Sequence, residues 1–158
     1  RDCLLSRGLG DVYKRQELNT AHTNVAGFIR MVDTAFTYFK KNGGGHLAVI
    51  SSIAGTKGLG VAPAYSATKR FQNTYIDALE QLSYLQKLHI RFTDIRPGFV
   101  DTAMAKGEGL FWVTPVDKAV KQIKKAISKK KKVAFISKRW RYVTILFRLL
   151  PSAIYCRM

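Results

Sequence analysis

Cysteine, proline and acid are all scarce in this chain, and each shortage excludes something. Only 2 cysteines occur in 158 residues, Cys3 and Cys156, near opposite ends. No disulfide scaffold or CxxC metal knuckle can be drawn from them, no metal site is expected, and a reducing, cytoplasmic setting is the default. No charge-free apolar run approaches the ~18 residues of a membrane span. The opening stretch RDCLLSRGLGDVYKRQ is polar and broken by charge, unlike a secretory leader. With 47% hydrophobic and 23% charged residues, 12 glycines and 4 prolines, the chain is neither disordered, collagenous nor built of repeats. Its length fits one domain with a sizeable core.

Acid is missing in a particular place. The formal charge is +17, yet residues 1–117 hold 14 Lys and Arg against all 10 Asp and Glu, while residues 118–158 hold 13 Lys and Arg and no acid. The charge belongs to the tail, so nucleic-acid binding by the body is disfavoured.

Residues 1–16 show neither helical nor strand period and read as an irregular or foreign lead-in. From Asn19 to Lys41, Val25, Phe28, Ile29, Val32, Ala35, Phe36 and Phe39 recur at three and four, which predicts a helix stopped by Asn42-Gly43-Gly44-Gly45. HLAVIS (His46–Ser51) predicts a short strand buried on both faces, as in a parallel sheet. A helix is predicted from about Tyr65 to Leu88, a strand over Ile90–Ile95, and a helix opened by Thr114-Pro115 and running to Ser128. Lys129–Lys132 form a turn, Val133–Ile136 a last strand, and Lys138–Leu150 a helix. This alternation defines an α/β fold, a parallel sheet flanked by helices. Three recognisable strands, preceded by a helix with no strand before it, read as an incomplete doubly wound, Rossmann-like sheet.

Within YSATK, Tyr65 and Lys69 are four apart and share a helix face. A phenol ionises near pH ~10, and a nearby ammonium favours the phenolate, so the pair is a sensible proton-transfer device. An ordinary surface pair has the same spacing. Ser51 and Ser52 follow the first strand, at the carboxyl end where α/β sheets bind ligands; a serine there suits hydrogen bonding to a reacting oxygen, or a turn cap. Pro97-Gly98 closes another strand, where glycine permits close approach of a ligand. Thr102 offers a hydroxyl to a ligand or to a turn.

NVAG (Asn24–Gly27), HLAVISSIAG (His46–Gly55), YSATK (Tyr65–Lys69) and RPGFVDTAM (Arg96–Met104), in this order and spacing, resemble the C-terminal part of a short-chain dehydrogenase/reductase. The likeness covers about residues 19–137, so that 17–137 is read as the catalytic part of such a domain. The resemblance implies an oxidoreductase that passes hydride between NAD or NADP and a carbonyl or secondary alcohol. It makes Tyr65 the general acid/base, Lys69 its partner and a holder of the nicotinamide ribose, and Ser52 the group that polarises the substrate oxygen. Asn24 becomes the asparagine that positions a relay water. Pro97, Gly98 and Val100 line the nicotinamide, and Thr102 meets its carboxamide and pyrophosphate. A small-molecule substrate and a homo-oligomeric full-length parent are also implied.

The departures are as specific. The family's opening strand, its T-G-x-x-x-G-x-G turn and the N-N-A-G turn are absent, and neither Gly8-Leu9-Gly10 nor GTKGLG (Gly55–Gly60) fits the glycine spacing. Roughly 90 residues and about four strands of a usual member have no counterpart, and with them goes the segment that selects NAD from NADP. The chain is therefore expected to be a truncated member, inactive alone and marginally stable. The loop Met104–Val113, with Phe111 and Trp112, is the expected lid, and its aromatics point to an apolar substrate such as a lipid, sterol or acyl ketone.

In 138–158, Arg141, Thr144 and Arg148 are expected to form a polar stripe, with Trp140, Val143, Leu146, Phe147 and Leu150 around the rest. This is the pattern of an amphipathic helix on an anionic membrane surface. It keeps a second reading open, in which the chain is a non-catalytic basic α/β module associated peripherally with membrane.

Overall fold

A computed structural model describes residues 11–102 and 111–157. The first helical rod is α1 (Asp11–Ala21), a π-helical turn (His22–Gly27) and α2 (Phe28–Lys41). Ala21 and Gly27 both keep right-handed helical dihedrals, so the rod is continuous through the π turn. It begins at Asp11, inside the stretch expected to be irregular; residues 1–10 lie outside the described part. The stop comes where expected. The Asn42 side chain bonds the Tyr38 carbonyl, and Gly43 and Gly44 take positive φ angles of 80° and 133°.

β1 (Gly45–Ile50), β2 (Ile90–Pro97) and β3 (Val133–Ile136) form a parallel sheet in the order β1-β2-β3. Val49 pairs with Asp94 and Ile50 with Ile95, which brings the carboxyl ends of β1 and β2 side by side. α3 (Pro63–Leu85) joins the first pair and α4 (Val116–Ser128) the second. α3 opens with Pro63 in its first turn. It ends three residues before the expected Leu88, because Lys87 turns to φ 54° and the chain folds back.

The sheet is covered on both faces. On one, Val32 and Phe36 of α2 and Ile76 of α3 pack on Leu47, Val49, Ile90 and Phe92. On the other, Ile95 and Ile136 meet Ala119, with Ile123 and Ile127 beside them. β2, in the middle, buries Phe92 through Ile95 without a break. β1 does not fulfil the expectation of two buried faces. Leu47 and Val49 are buried, but Ile50 is 58% exposed and Ala48 is exposed too, because α4 covers only β2 and β3.

Past β3 come α5 (Arg139–Leu149) and, after Pro151, α6 (Ser152–Tyr155). The expected polar stripe on α5 is corrected at its centre. Thr144 is 5% exposed and turns its hydroxyl to the Arg141 carbonyl at 2.8 Å. Trp140 is buried as well, whereas Tyr142, Ile145, Leu146 and Leu149 face outward.

Candidate active site

The sequence YSATK forms the second turn of α3, so Tyr65 and Lys69 lie one above the other on a single face. The Lys69 ammonium stands 5.7 Å from the centre of the Tyr65 ring. Both side chains line an open groove whose opposite wall is α1 and the π turn, with Arg15, Asn19, Thr23 and Asn24. α1 is tied to the start of α3 by Glu17, which accepts from the Ala64 amide at 2.8 Å.

Asn24 sits within the π turn, where one wide turn redirects the backbone. Its side-chain amide donates to the Thr68 hydroxyl at 3.1 Å, and its carbonyl accepts from the Gln72 amide at 2.9 Å. The other end of Gln72 accepts from the Lys69 ammonium at 3.0 Å. Gln72, 4% exposed, thus bridges the two groups that the family resemblance joins through water. Sequence reasoning missed it. Its only local signal is a polar residue three past Lys69, on the buried side of the helix. Burial lowers the Lys69 pKa from its ordinary value, and the nearby Asp94 carboxylate offsets part of that.

Ser52 follows β1 in extended conformation, and its hydroxyl accepts from the Ala54 amide at 3.1 Å as cap of a short turn, Ile53–Thr56. Its own proton is left to donate. Ser51 turns the other way, into a buried cluster with Asn73 and Asp94. Gly55 lets this turn lie against α3, because a Cβ there would collide with Asn73 and crowd the Lys69 backbone.

Pro97 and Gly98 end β2. A side chain at Gly98 would run into the Trp140 indole, whose nitrogen is buried with no hydrogen-bond partner among the described residues. Val100 makes a bridge to Thr114, and Thr102 is exposed, its hydroxyl 3.4 Å from the Val100 carbonyl. The structure therefore brings Asn24, Tyr65 and Lys69 into one groove, with Ser52 and Pro97-Gly98 at the neighbouring strand ends. Thr102 lies on the surface turn beyond. The expected lid falls mostly outside the described residues; Phe111 and Trp112 stack with Phe99 and Trp140 at 5.3 to 6.0 Å between ring centres. A larger groove between α3 and α6 lies on the other side of α3, and neither Tyr65 nor Lys69 lines it.

These residues fit the nicotinamide–ribose half of a dinucleotide. Tyr65 and Lys69 offer donors for ribose hydroxyls, whereas the space a side chain would take at Gly98 is already filled by the Trp140 indole. β1 leads through Gly55–Gly60 into α3, but the glycines there lack the spacing of a pyrophosphate-binding turn.

Comparison with known proteins gives the family and the fold. The family model for short chain dehydrogenases matches residues 10–110, and the chain belongs to that family. An uncharacterized oxidoreductase of Mycobacterium tuberculosis is 36% identical over 86 residues, 54% of this chain and 33% of its own length. Dehydrogenase/reductase SDR family member 7B of Danio rerio is 27% identical over 162 residues, covering 94% of this chain and 52% of that protein. The chain thus spans between a third and about half of these two relatives. Among solved structures, a short chain dehydrogenase from Burkholderia cenocepacia in complex with NADP superposes with a TM-score of 0.75 at 18% identity, over 89% of this chain and 58% of that one. One from Sphingobium yanoikuyae in complex with NADPH gives 0.67 at 19%, over 84% and 56%. The fold is Rossmann-like.

The lowered Lys69 pKa has a thermodynamic consequence. Between that value and 10.5 the unfolded chain holds more protons than the folded one, so this group makes stability rise with pH in that window. Urea unfolding of the wild type and Lys69→Met at a series of alkaline pH values isolates the effect. The stability of the wild type relative to the variant is expected to climb toward pH 10.5; a flat difference would show that Lys69 folds without penalty.

Proposed function

We propose that the protein to which this chain belongs is an NAD(P)-dependent oxidoreductase acting on a carbonyl or secondary alcohol. The observation that carries this reading is the shared groove of Tyr65, Lys69 and Asn24, with the ammonium fixed beside the phenol ring by Gln72. NAD(P), when bound, supplies or accepts the hydride. Tyr65 gives its hydroxyl proton to the substrate oxygen during reduction and takes it back during oxidation. Lys69 holds positive charge next to that oxygen and offers its remaining protons to the ribose hydroxyls. Ser52, its oxygen already taken by Ala54, donates to the substrate oxygen and orients it. Pro97, Gly98 and Val100 would line the nicotinamide of the bound dinucleotide, and Thr102 would offer its hydroxyl to the carboxamide and the pyrophosphate. Phe111 and Trp112, both about half exposed in an aromatic wall beside Gly98, favour an apolar substrate. In the full-length protein, Tyr65→Phe is expected to lower kcat/KM by roughly 10²–10⁴-fold while NAD(P)H still binds. A loss smaller than tenfold would remove Tyr65 from the chemistry.

The 158-residue chain alone is a different case. It presents the nicotinamide side of the site without a phosphate turn, and most dinucleotide affinity lies in phosphate contacts. It is expected to be inactive and to bind NADH and NADPH more weakly than micromolar in a fluorescence titration. Micromolar affinity would overturn this.

A second reading concerns the tail, and it is favoured by the surface of α5. Tyr142 (74% exposed), Ile145, Leu146 and Leu149 (76%) form an open apolar face, ringed by Lys138, Arg139, Arg141 and Arg148. We propose that this face lies on an anionic bilayer surface. None of the helices among the described residues is long and apolar enough to cross a membrane. Co-sedimentation with vesicles rich in phosphatidylserine should pellet the whole chain and release a Leu146→Glu/Leu149→Glu variant. Equal pelleting of both would refute the idea.

A further inference from the structure

Beneath the groove lies a buried ionic cluster that the proposed chemistry does not use. Asp94 is 2% exposed at the carboxyl end of β2. One of its oxygens accepts from the Ser51 hydroxyl; the other accepts from the Asn73 amide at 3.0 Å and from Arg96 at 2.7 Å. The Asn73 amide also donates to the Ser51 hydroxyl at 2.8 Å. Three elements meet here: the residue after β1, the end of β2, and α3. Asn73 is four residues past Lys69, so it stands one turn further along the same face. Ser51 precedes Ser52. The cluster therefore touches the chain next to both residues on which the proposed reaction depends.

We propose that Asp94 is a positioning residue for the Tyr65–Lys69 pair: held by Ser51, Asn73 and Arg96, its carboxylate keeps the half-buried Lys69 charged and fixes the Ser51–Ser52 turn against α3. This rests on Lys69 being the lysine of the site. The environment leaves Asp94 little competition. α1 contributes Arg15, which lines the groove, and Glu17, which is engaged by the Ala64 amide. The π turn contributes only the exposed His22. The turn Ile53–Thr56 carries no charge, and Lys57 after it bonds the Leu150 carbonyl. On β2 the charges are Asp94, its partner Arg96, and Arg91, which is exposed near the start of the strand. On α3 itself Arg70 and Asp77 are exposed, and Glu80, three turns from Lys69, pairs with Lys132. Asp94, bonded to Asn73 one turn past Lys69, is the buried carboxylate of this region, and its charge opposes the effect of burial on Lys69.

The two members of the ion pair should act on Lys69 with opposite sign. Asp94→Asn removes an anion and leaves Arg96 unopposed, so the Lys69 pKa falls further. Arg96→Gln removes a cation and leaves the carboxylate unopposed, so it rises. The experiment is an NMR titration of the full-length protein labelled at lysine Cε, with Lys69 assigned through Lys69→Arg and folding of each variant checked by its amide spectrum. Shifts of roughly half a unit or more are expected, smaller than the one to three units of a direct ion pair. Opposite shifts support the proposal, and any other combination overturns it. If Asp94→Asn does not fold, Arg96→Gln decides alone: an upward shift supports, and its absence overturns. The titration needs neither NAD(P) nor substrate. Failure here leaves the Tyr65 reading intact, and failure of Tyr65→Phe to reduce activity leaves this coupling standing.

Discussion

A carboxylate taken out of water is the constraint around which this structure closes. An isolated buried charge would cost several kcal/mol, and removing one partner from a buried pair costs about 3–5 kcal/mol. Asp94 is tolerable at the end of β2 only because Ser51, Asn73 and Arg96 arrive together. Each comes from a different constraint: Ser51 from the parallel register of β1 with β2, Asn73 from the seating of α3 on the sheet, Arg96 from its own strand. Satisfying the charge fixes all three, and two of them are neighbours of Ser52 and Lys69. The energetics of the sheet end and the geometry of the candidate site are therefore one problem, and Gly55, which admits no side chain against Asn73, belongs to both.

The other wall of the groove is set by a defect in a helix. An uninterrupted α-helix from Asp11 to Lys41 would commit every interior carbonyl to an amide four residues on. The π turn at His22–Gly27 departs from that ladder at Asn24, whose carbonyl takes the Gln72 amide. Gln72 then has its oxygen free for Lys69. An amide differs from water in this place. It cannot turn over to pass a proton along, so what Gln72 supplies here is a fixed position for the ammonium.

What could be read in the sequence was what repeats locally. Helices at spacings of three and four, a short strand of HLAVI, and Tyr65 above Lys69 all follow from neighbours within one turn or one pleat. The polar cross-links did not, because their partners are far apart in sequence. Asn73 meets Asp94 across 21 residues, Ser51 meets Asp94 across 43, and Gln72 meets Asn24 across 48. Apart from the place of Gln72 three residues past Lys69 on the buried side of the helix, the sequence around Gln72 and Asn73 does not mark them as different from the solvated residues of a helix. The misreadings have the same origin. Two-sided burial of β1 was inferred from its own apolar run, but burial of Ile50 depends on a helix that covers only β2 and β3. Thr144 was assigned to a wet stripe by helical phase, when the direction of α5 is decided by Trp140 packing against Gly98.

The same docking explains why the tail's charge and the site's chemistry stay apart. Lys69 is bonded to Gln72, Arg96 to Asp94, and Lys57 to the Leu150 carbonyl with its ammonium 4.4 Å from the centre of the Tyr155 ring. These cations are consumed inside the fold. Those of α4 and α5 stand in solvent, with no acid after Asp117 to pair with them. Trp140 and Thr144 attach α5 to the body through its inner face, which leaves Ile145 and Leu149 outward and gives the basic segment an apolar side. A helix so attached is held to the strand ends at two places, Trp140 against Gly98 and Leu150 at Lys57 beyond the Ile53–Thr56 turn, while its outer face stays free.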